Sequence, residues 1–367
     1  MYIIEMYKSY VGGIHMTNIE QVRKILEQKN LEAVIVLSDY NRRYLSGFTG
    51  TSGALVISKE KQYLITDFRY MEQAAKQATD FELIEHKQGL IAEIKAILAA
   101  DDIQNVGFEG HLVSYDTYLQ LSKSYISLVS ISDAIDRIRQ IKTPEEIEII
   151  QKAADIADGA YEYILTVAKA GMTEKELKAK LESKMLELGA DDTSFDTIVA
   201  SGLRGALPHG VASDKVIEEG DLVTLDFGAY YKGYASDITR TFAIGEPDPK
   251  LKEIHQIVLE ANLKAIAELK PGMTCKDVDA ISRDYIAEKG YGAYFGHSLG
   301  HGIGLDVHEG PALSSKSQDV LAVNQCVTIE PGIYIEGLGG VRIEDDILIT
   351  ENGCRYFTNS TKELIIL

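Results

Sequence analysis

Four carboxylates and one imidazole, Asp226, Asp237, Glu330, Glu344 and His301, are the residues of this 367-residue chain whose types and spacing could do chemistry. They fall on two predicted β-hairpins and a glycine-rich turn. In DLVTLDFGAYYKGYASDITRTF, Asp226 and Asp237 are equidistant from the midpoint between Tyr231 and Lys232, so a simple hairpin places them face to face. Directly opposed residues have Cβ atoms about 4.5–5.5 Å apart, close for two bare carboxylates but well suited to gripping cations. In CVTIEPGIYIEGLGGVRIEDDILIT, Glu330 and Glu344 are symmetric about Gly337, with Gly339 and Gly340 expected to supply turn chemistry. Between the pairs lies GHSLGHGIGLDVHEGP, where Gly300, Gly302 and Gly304 surround His301, so the backbone can approach a ligand without Cβ obstruction.

A lone Asp or Glu in a strand is ordinarily solvated or salt-bridged, and each residue alone says little. Asp226, however, follows Leu222-Val223-Thr224-Leu225, and Glu330 follows Val327-Thr328-Ile329, so both acids emerge from runs that read as buried strands. Buried carboxylates need partners, and no nearby run of Lys or Arg can neutralise them all. Two divalent cations are the economical counter-charge for many oxygens and one nitrogen. A hydrolase is therefore the leading expectation: two cations would lower the pKa of a water and neutralise the oxyanion formed when it attacks a carbonyl.

The elements that must position these groups begin at Ile141-Lys142-Thr143-Pro144-Glu145-Glu146, where Thr143 can cap a helix, Pro144 suits its first turn and Glu146 completes a capping box. Before this break the chain alternates. Helix is expected over 19–28, strand over 33–37, a turn at Ser46-Gly47, strands over 54–58 and 62–66, and helices around 69–78 and 90–99, which reads as an α/β domain. After it comes an internal repeat, GMTEKEL at 171–177 and GMTCKDV at 272–278, offset by 101 residues. Each follows a long amphipathic helix and opens another, with Thr173 and Glu176, or Thr274 and Asp277, as paired capping positions and Gly189 or Gly290 at the end. Downstream of each stand a histidine-containing turn and an acidic hairpin: His209 then Asp226 and Asp237, His308 then Glu330 and Glu344. Two duplicated α+β halves, each giving one acidic hairpin to a shared site, explain how ligands so far apart in sequence converge. The expected organisation is thus an extended start or tail over 1–16, a first domain over 17–140 and a second over 141–367.

Composition bounds the function classes. With 45% hydrophobic and 25% charged residues the chain reads as soluble and globular, and 56 acidic against 37 basic residues, a formal net charge of −19, argue against nucleic acid or anionic membrane as the main partner. Three cysteines, Cys275, Cys326 and Cys354, form neither a disulfide framework nor a thiolate zinc motif, which fits a reducing cytoplasm. No apolar run approaches 18 residues and the start lacks a cleavage-like end, so neither secretion nor membrane insertion is expected.

With these motifs in place, the chain resembles the metal-dependent proline peptidases of the pita-bread fold, the aminopeptidase P and prolidase family. The resemblance runs over 17–367 through SGFTGTSGALVIS and TDFRY, then SFDTIVASG, ALPHG, LDFGAYYKGYASDITRTF, GHGIGLDVHEGP, EPGIY and GGVRIEDD. It implies a creatinase-like N-terminal domain and a pita-bread catalytic domain of two pseudo-symmetric halves. It implies further that Asp226 binds one metal, that Asp237 and Glu344 bridge two, and that His301 and Glu330 complete the coordination. His209 and His308 would stand near the substrate carbonyl or tetrahedral intermediate, His297 near the substrate in aminopeptidase P-like members, and Arg342 just outside the ligands. Glu330 could take the proton of the attacking water and pass it to the leaving nitrogen.

The family's substrates carry proline second, a tertiary amide with no N–H and a fixed ring that general peptidases handle poorly. Manganese is the expected ion, with cobalt, iron or zinc as alternatives. The leading expectation is an Xaa-Pro aminopeptidase of the short bacterial type, with an Xaa-Pro dipeptidase (prolidase) as runner-up. A metal-free creatinase-like hydrolase fits less well because all five ligands are retained, and so does a non-catalytic binding protein. Methionine aminopeptidases share the ligands but usually lack such a front domain. Family resemblance also implies a homodimer in which Arg69 or Tyr70 could act across the interface.

Overall fold

Alternate residues of a strand face opposite sides of a sheet, and the runs Ala33-Val34-Ile35-Val36 and Ala54-Leu55-Val56-Ile57 are apolar on both. Such a strand needs cover on both faces. The computed structural model describes residues 16–123 and 125–367, so the start or tail expected over 1–16 lies outside them except for Met16. The chain divides into two units between Arg139 and Gln140.

The first unit is a six-stranded sheet of β1 (Ala33–Val36), β2 (Ala54–Ser58), β3 (Gln62–Thr66), β4 (Glu82–Glu85), β5 (Asn105–Phe108) and β6 (Ser127–Ser130), in the order β4-β3-β2-β1-β5-β6. The β1–β2 and β2–β3 pairs are antiparallel and β1–β5, β5–β6 and β3–β4 are parallel. Val34, Val36, Leu55, Ile57 and Leu64 pack on one face with α1 (Asn18–Gln28), whose residues Val22, Ile25 and Leu26 are buried. Ala33, Ile35, Val56 and Ile65 pack on the other with Ile94, Ile97 and Leu98 of the helix over 90–100. The expected elements are all present within two residues of their predicted ends, and Gly47 closes a preceding helix in the left-handed region at φ 72°. That helix, α2 (Asp39–Ser46), capped by the Ser38 side chain, was absent from the sequence reading, as were β4, β5 and β6.

The second unit opens with α3 (Pro144–Val167), and its start has the expected capping box, with the Thr143 hydroxyl accepting from Glu146 N–H and the Glu146 carboxylate accepting from Thr143 N–H. The two halves follow. In the first, α3 and α4 (Glu174–Glu187) cover β7 (Ile198–Ser201), β8 (Leu222–Phe227) and β9 (Ile238–Ala243), with Leu177, Leu181, Val223, Leu225 and Phe242 in one core. In the second, α5 (Pro249–Glu268) and α6 (Cys275–Glu288) cover β10 (Gly300–Gly302), β11 (Cys326–Ile329) and β12 (Asp345–Thr350), with Ile254, Val258, Val278, Val327 and Ile347 in another. The repeat is visible in three dimensions. Thr173 bridges Val216 and Thr274 bridges Val320, both threonine hydroxyls cap their helices, and Gly189 and Gly290 sit at φ 104° and 89° just beyond them.

One expectation about the glycines is corrected. Gly300 and Gly302 lie in a strand, not a turn, and their missing side chains make room for neighbouring backbone instead of a ligand. A Cβ at Gly300 would stand 2.0 Å from the Thr328 carbonyl oxygen, and one at Gly302 would stand 2.0 Å from that of Gly310. Gly302→Ala is therefore expected to cost about 1–3 kcal/mol or more through overpacking, read as a lowered midpoint in thermal unfolding of the metal-loaded protein. A Gly302→Ala variant as stable as the wild type would refute this account of the packing.

Candidate metal centre

The first acidic hairpin closes through Lys232 and Gly233, both in the left-handed region at φ 48° and 80°, as a two-residue turn of the primed type requires. Its ladder therefore pairs Asp226 with Thr239 and Phe227 with Ile238. The expected face-to-face pairing of Asp226 and Asp237 is corrected: the turn is centred one residue later, between Lys232 and Gly233 instead of Tyr231 and Lys232, so Asp226 faces Thr239, two residues beyond Asp237. The two acids still share a face, because Asp237 stands two residues before Thr239, just ahead of strand β9. In the second hairpin the register is as expected: Gly332 pairs with Arg342 and Tyr334 with Gly340, symmetric about Gly337, which carries φ 77°. Continuing that register brings Glu330 opposite Glu344. The turn conformation rests on Gly337, while Gly339 and Gly340 lie in the returning strand.

Nine of the residues singled out in the sequence, the five acidic and imidazole groups together with His209, His297, His308 and Arg342, line one cavity of about 540 Å³. Ligand atoms of Asp237, His301 and Glu344 lie within 4.8 Å of one another. His301 Nε2 is 3.7 Å from Asp237 Oδ2 and 3.5 Å from Glu330 Oε1. Its Nδ1 lies 3.0 Å from the Gly302 carbonyl oxygen, which assigns the proton to Nδ1 and leaves the Nε2 lone pair facing the carboxylates. Burial lowers the His301 pKa to about 4, so the ring is neutral, the form that binds cations.

The carboxylates are strained electrostatically. Burial, then the charges of Glu344 and Asp226, push Asp237 well above the ordinary carboxylate range. Burial, then Glu330 and Asp226, do the same to Glu344. Burial pushes Glu330 up to about 8, with Arg342 opposing the shift and Asp226 adding to it. Among the described residues, Asp226 Oδ1 and Asp237 Oδ1 are buried without a hydrogen-bond partner. A buried carboxylate oxygen with no donor is costly. Arg342 balances one negative charge, through its ion pair to Asp226, while its Nε donates to the Thr239 hydroxyl at 3.1 Å. Among the described residues no Lys or Arg side chain pairs with Asp237, Glu330 or Glu344, so hard divalent cations suit this oxygen-rich set and its one imidazole.

Several groups that orient the ligands were missing from the sequence reading. The Thr239 hydroxyl donates to Glu344 Oε2 at 2.6 Å, Thr328 donates to Glu330 Oε1 at 3.3 Å, and Asp346 Oδ2 accepts from Asp237 N–H at 2.8 Å. Thr239 and Thr328 each stand in a strand two residues from a named acid that lies just beyond its end, so period-two arithmetic carries a signal for both. Tyr334 links two of the named residues, its hydroxyl lying 2.8 Å from Arg342 and 2.9 Å from His297 Nε2. His297 is also neutral, its pKa lowered to about 4 by burial and then by Arg342. The rings of His301 and His308 have centroids 4.5 Å apart. In the first unit Arg69 pairs with Asp67 at 2.8 Å, and the Tyr70 hydroxyl lies 2.7 Å from that of Thr51.

A two-half α+β unit with a buried acidic cage, following an α/β domain in the sequence, is the organisation of a metal-dependent hydrolase, and comparison with known proteins identifies which one. The chain belongs to metallopeptidase family M24, whose pattern matches residues 148–351, and a Creatinase/Prolidase N-terminal domain matches residues 18–141. It is a metallo-exopeptidase, as expected. The Xaa-Pro dipeptidase of Pyrococcus furiosus is 44% identical over 95% of this chain and 99% of its own. The solved structure of an Xaa-Pro dipeptidase from Bacillus anthracis superposes with a TM-score of 0.94 at 51% identity, covering 95% of this chain and 99% of that one. An X-Pro aminopeptidase from Thermotoga maritima superposes with a TM-score of 0.86 at 42% identity, covering 93% and 99%. The aminopeptidase expectation shifts accordingly, since the dipeptidases are the better supported relatives. Among the described residues no helix is long and apolar enough to cross a membrane.

Proposed function

We propose that this protein is an Xaa-Pro dipeptidase that uses two divalent metal ions, and that an Xaa-Pro aminopeptidase is the second reading. The observation that carries the metallopeptidase chemistry is the convergence of Asp237, His301 and Glu344 in one buried cluster beside unpartnered carboxylate oxygens of Asp226 and Asp237. The preference for dipeptides rests on the dipeptidase relatives named above.

Asp226, Asp237, His301, Glu330 and Glu344 would hold the ions, with ligand atoms of Asp237, His301 and Glu344 at the centre of the set. When bound, such ions make water nucleophilic near neutral pH and offset the charge that develops on an attacked carbonyl oxygen. The residues of the chain do the rest. Glu330, with 18% of its side chain exposed against 13% for Asp226 and 6% for Asp237, is the most open of the three towards solvent and takes the proton of the attacking water. His209 and His308 donate to the substrate carbonyl side, and His297 contacts the substrate. Arg342 fixes Asp226, and Thr239 fixes Glu344, so that neither carboxylate swings out of the cage.

Manganese is the proposed ion on the strength of its oxygen-rich donors and family resemblance. The reading includes proline-containing peptides as substrates and a cytoplasmic homodimer, in keeping with three free cysteines.

The deciding experiment compares hydrolysis of Ala-Pro and Ala-Pro-Ala by manganese-loaded protein, with a chelated sample as control. Cleavage confined to the dipeptide is the expected result. Preference for the tripeptide, with release of alanine, would make the enzyme an aminopeptidase, and inactivity on both with metal bound would overturn the proline-peptidase reading.

A further inference from the structure

The residue at 174 separates the two copies of the internal repeat. In the first copy it is Glu174 and in the second Cys275, at the same place in the fold. Glu174 N–H donates to Lys215 O at 3.0 Å and Cys275 N–H to Asp319 O at 2.9 Å, next to the equivalent bridges of Thr173 and Thr274. Both side chains are fully buried. The second half thus builds this helix start around a thiol, and the junction itself does not call for a carboxylate.

The carboxylate is spent elsewhere. Glu174 Oε1 accepts the backbone N–H of Ser201 at 2.8 Å and its hydroxyl at 2.9 Å. Oε2 accepts the backbone N–H of Ser213 at 3.0 Å, its hydroxyl at 2.7 Å, and Arg204 Nε at 3.1 Å. Ser201 and Ser213 are the two ends of the loop that carries His209, and each is held by a different oxygen of one carboxylate. Arg204 then spans the loop from within, its second guanidinium nitrogen donating to Val211 O at 2.6 Å. Among the described residues the His209 ring has no hydrogen-bond partner, and the residue is exposed to the cavity. With nothing gripping the imidazole itself, the backbone of the loop decides where it stands.

We infer that Glu174 is a positioning residue for His209, closing the 201–213 loop so that the imidazole is presented to the substrate. The inference rests on the proposed placement of His209 at the substrate. Glu174→Gln keeps the size of the side chain but exchanges one acceptor oxygen for an N–H₂ donor, which cannot accept from Ser213 N–H and Arg204. A displacement of about 1 Å of a positioned group can cost on the order of 10²-fold in rate, so kcat/KM on Ala-Pro is expected to fall by about ten- to a hundredfold in folded, manganese-loaded E174Q.

The test is a double-mutant cycle with His209→Ala, combined with amide hydrogen exchange. If Glu174 acts through His209, E174Q adds nothing to the loss already caused by H209A, and exchange over 202–212 quickens in E174Q while that of α4 beyond its first turn does not. Multiplying losses in the double variant, or unchanged exchange over 202–212, would overturn the inference. The double variant Ser201→Ala with Ser213→Ala leaves the carboxylate and three of its donors in place and is expected to fold normally, with a smaller loss of kcat/KM that H209A again absorbs. A wild type inactive on every Xaa-Pro substrate would count against the proposed function, whereas the exchange arm would still decide whether Glu174 holds the loop.

Discussion

Glu330→Gln is expected to lower kcat on Ala-Pro by roughly 10²–10⁴-fold while the protein still takes up manganese. The side chain departs from strand β11 where Ile329 ends the ladder, and one oxygen faces the Thr328 hydroxyl while the other lies 3.9 Å from His297 Nδ1. Glutamine fills the same space and keeps one oxygen to offer a cation and Thr328, but its amide cannot take a proton at any working pH. Asp237, His301 and Glu344 still bring three ligand atoms together without it. The substitution thus separates the holding of metal from the handling of protons. Turnover and metal content measured on the same sample decide the matter: a variant with both ions and normal kcat would exclude the role, and one that lost the ions would show Glu330 to be needed first as a ligand.

What could be read from the chain beforehand depended on how local the information was. Glu330 and Glu344 were placed opposite one another because Gly337 is the left-handed turn residue on which the hairpin is centred. The same reasoning puts the centre of the first hairpin one residue early, and so the partner of Asp226 two residues early, since two consecutive left-handed residues, Lys232 and Gly233, shift the centre of a hairpin without altering its apolar pattern. Thr143, Thr173 and Thr274 marked helix starts correctly because capping is settled within four residues. The ion pair of Asp226 with Arg342 links residues 116 apart in sequence, and no local pattern encodes it. The short strands β4 and β6 contain no fully buried residue and only two apolar residues each; they are strands because parallel neighbours supply their hydrogen bonds. Helix α2 is mostly polar yet buries Asn41 and Arg42, so its inward face carried no apolar stripe. The glycines around His301 were visible, but their purpose was not, because the backbone they accommodate comes from Thr328 and Gly310 in neighbouring strands.

Chelation should do more than stop turnover: it should make the protein progressively less stable as pH rises. Asp237, Glu330 and Glu344 all have folded-state pKa values raised above their ordinary carboxylate range, Glu330 to about 8. Without cations, the folded protein therefore holds protons that the unfolded chain, with carboxylate pKa values near 4, has already released. Where the folded state binds more protons, stability falls with increasing pH. The contribution of these groups is fully favourable below about pH 4 and is lost as pH climbs towards the folded values, with each titrating group worth about 1.4 kcal/mol per pH unit inside that window. For a unit of this size 1 kcal/mol moves the midpoint by about 2–4 °C, so one group alone lowers the chelated protein's Tm by on the order of 5–10 °C between pH 6 and 8. Bound cations take the place of those protons and stabilise the ionised carboxylates, so the manganese-loaded protein should show a flatter profile. The readout is the gap in Tm between loaded and chelated samples, measured in the same buffers. A gap that widens from pH 6 to 8 is expected, and one that stays constant or narrows would mean that Asp237, Glu330 and Glu344 do not keep raised pKa values in the folded protein once the metal is gone.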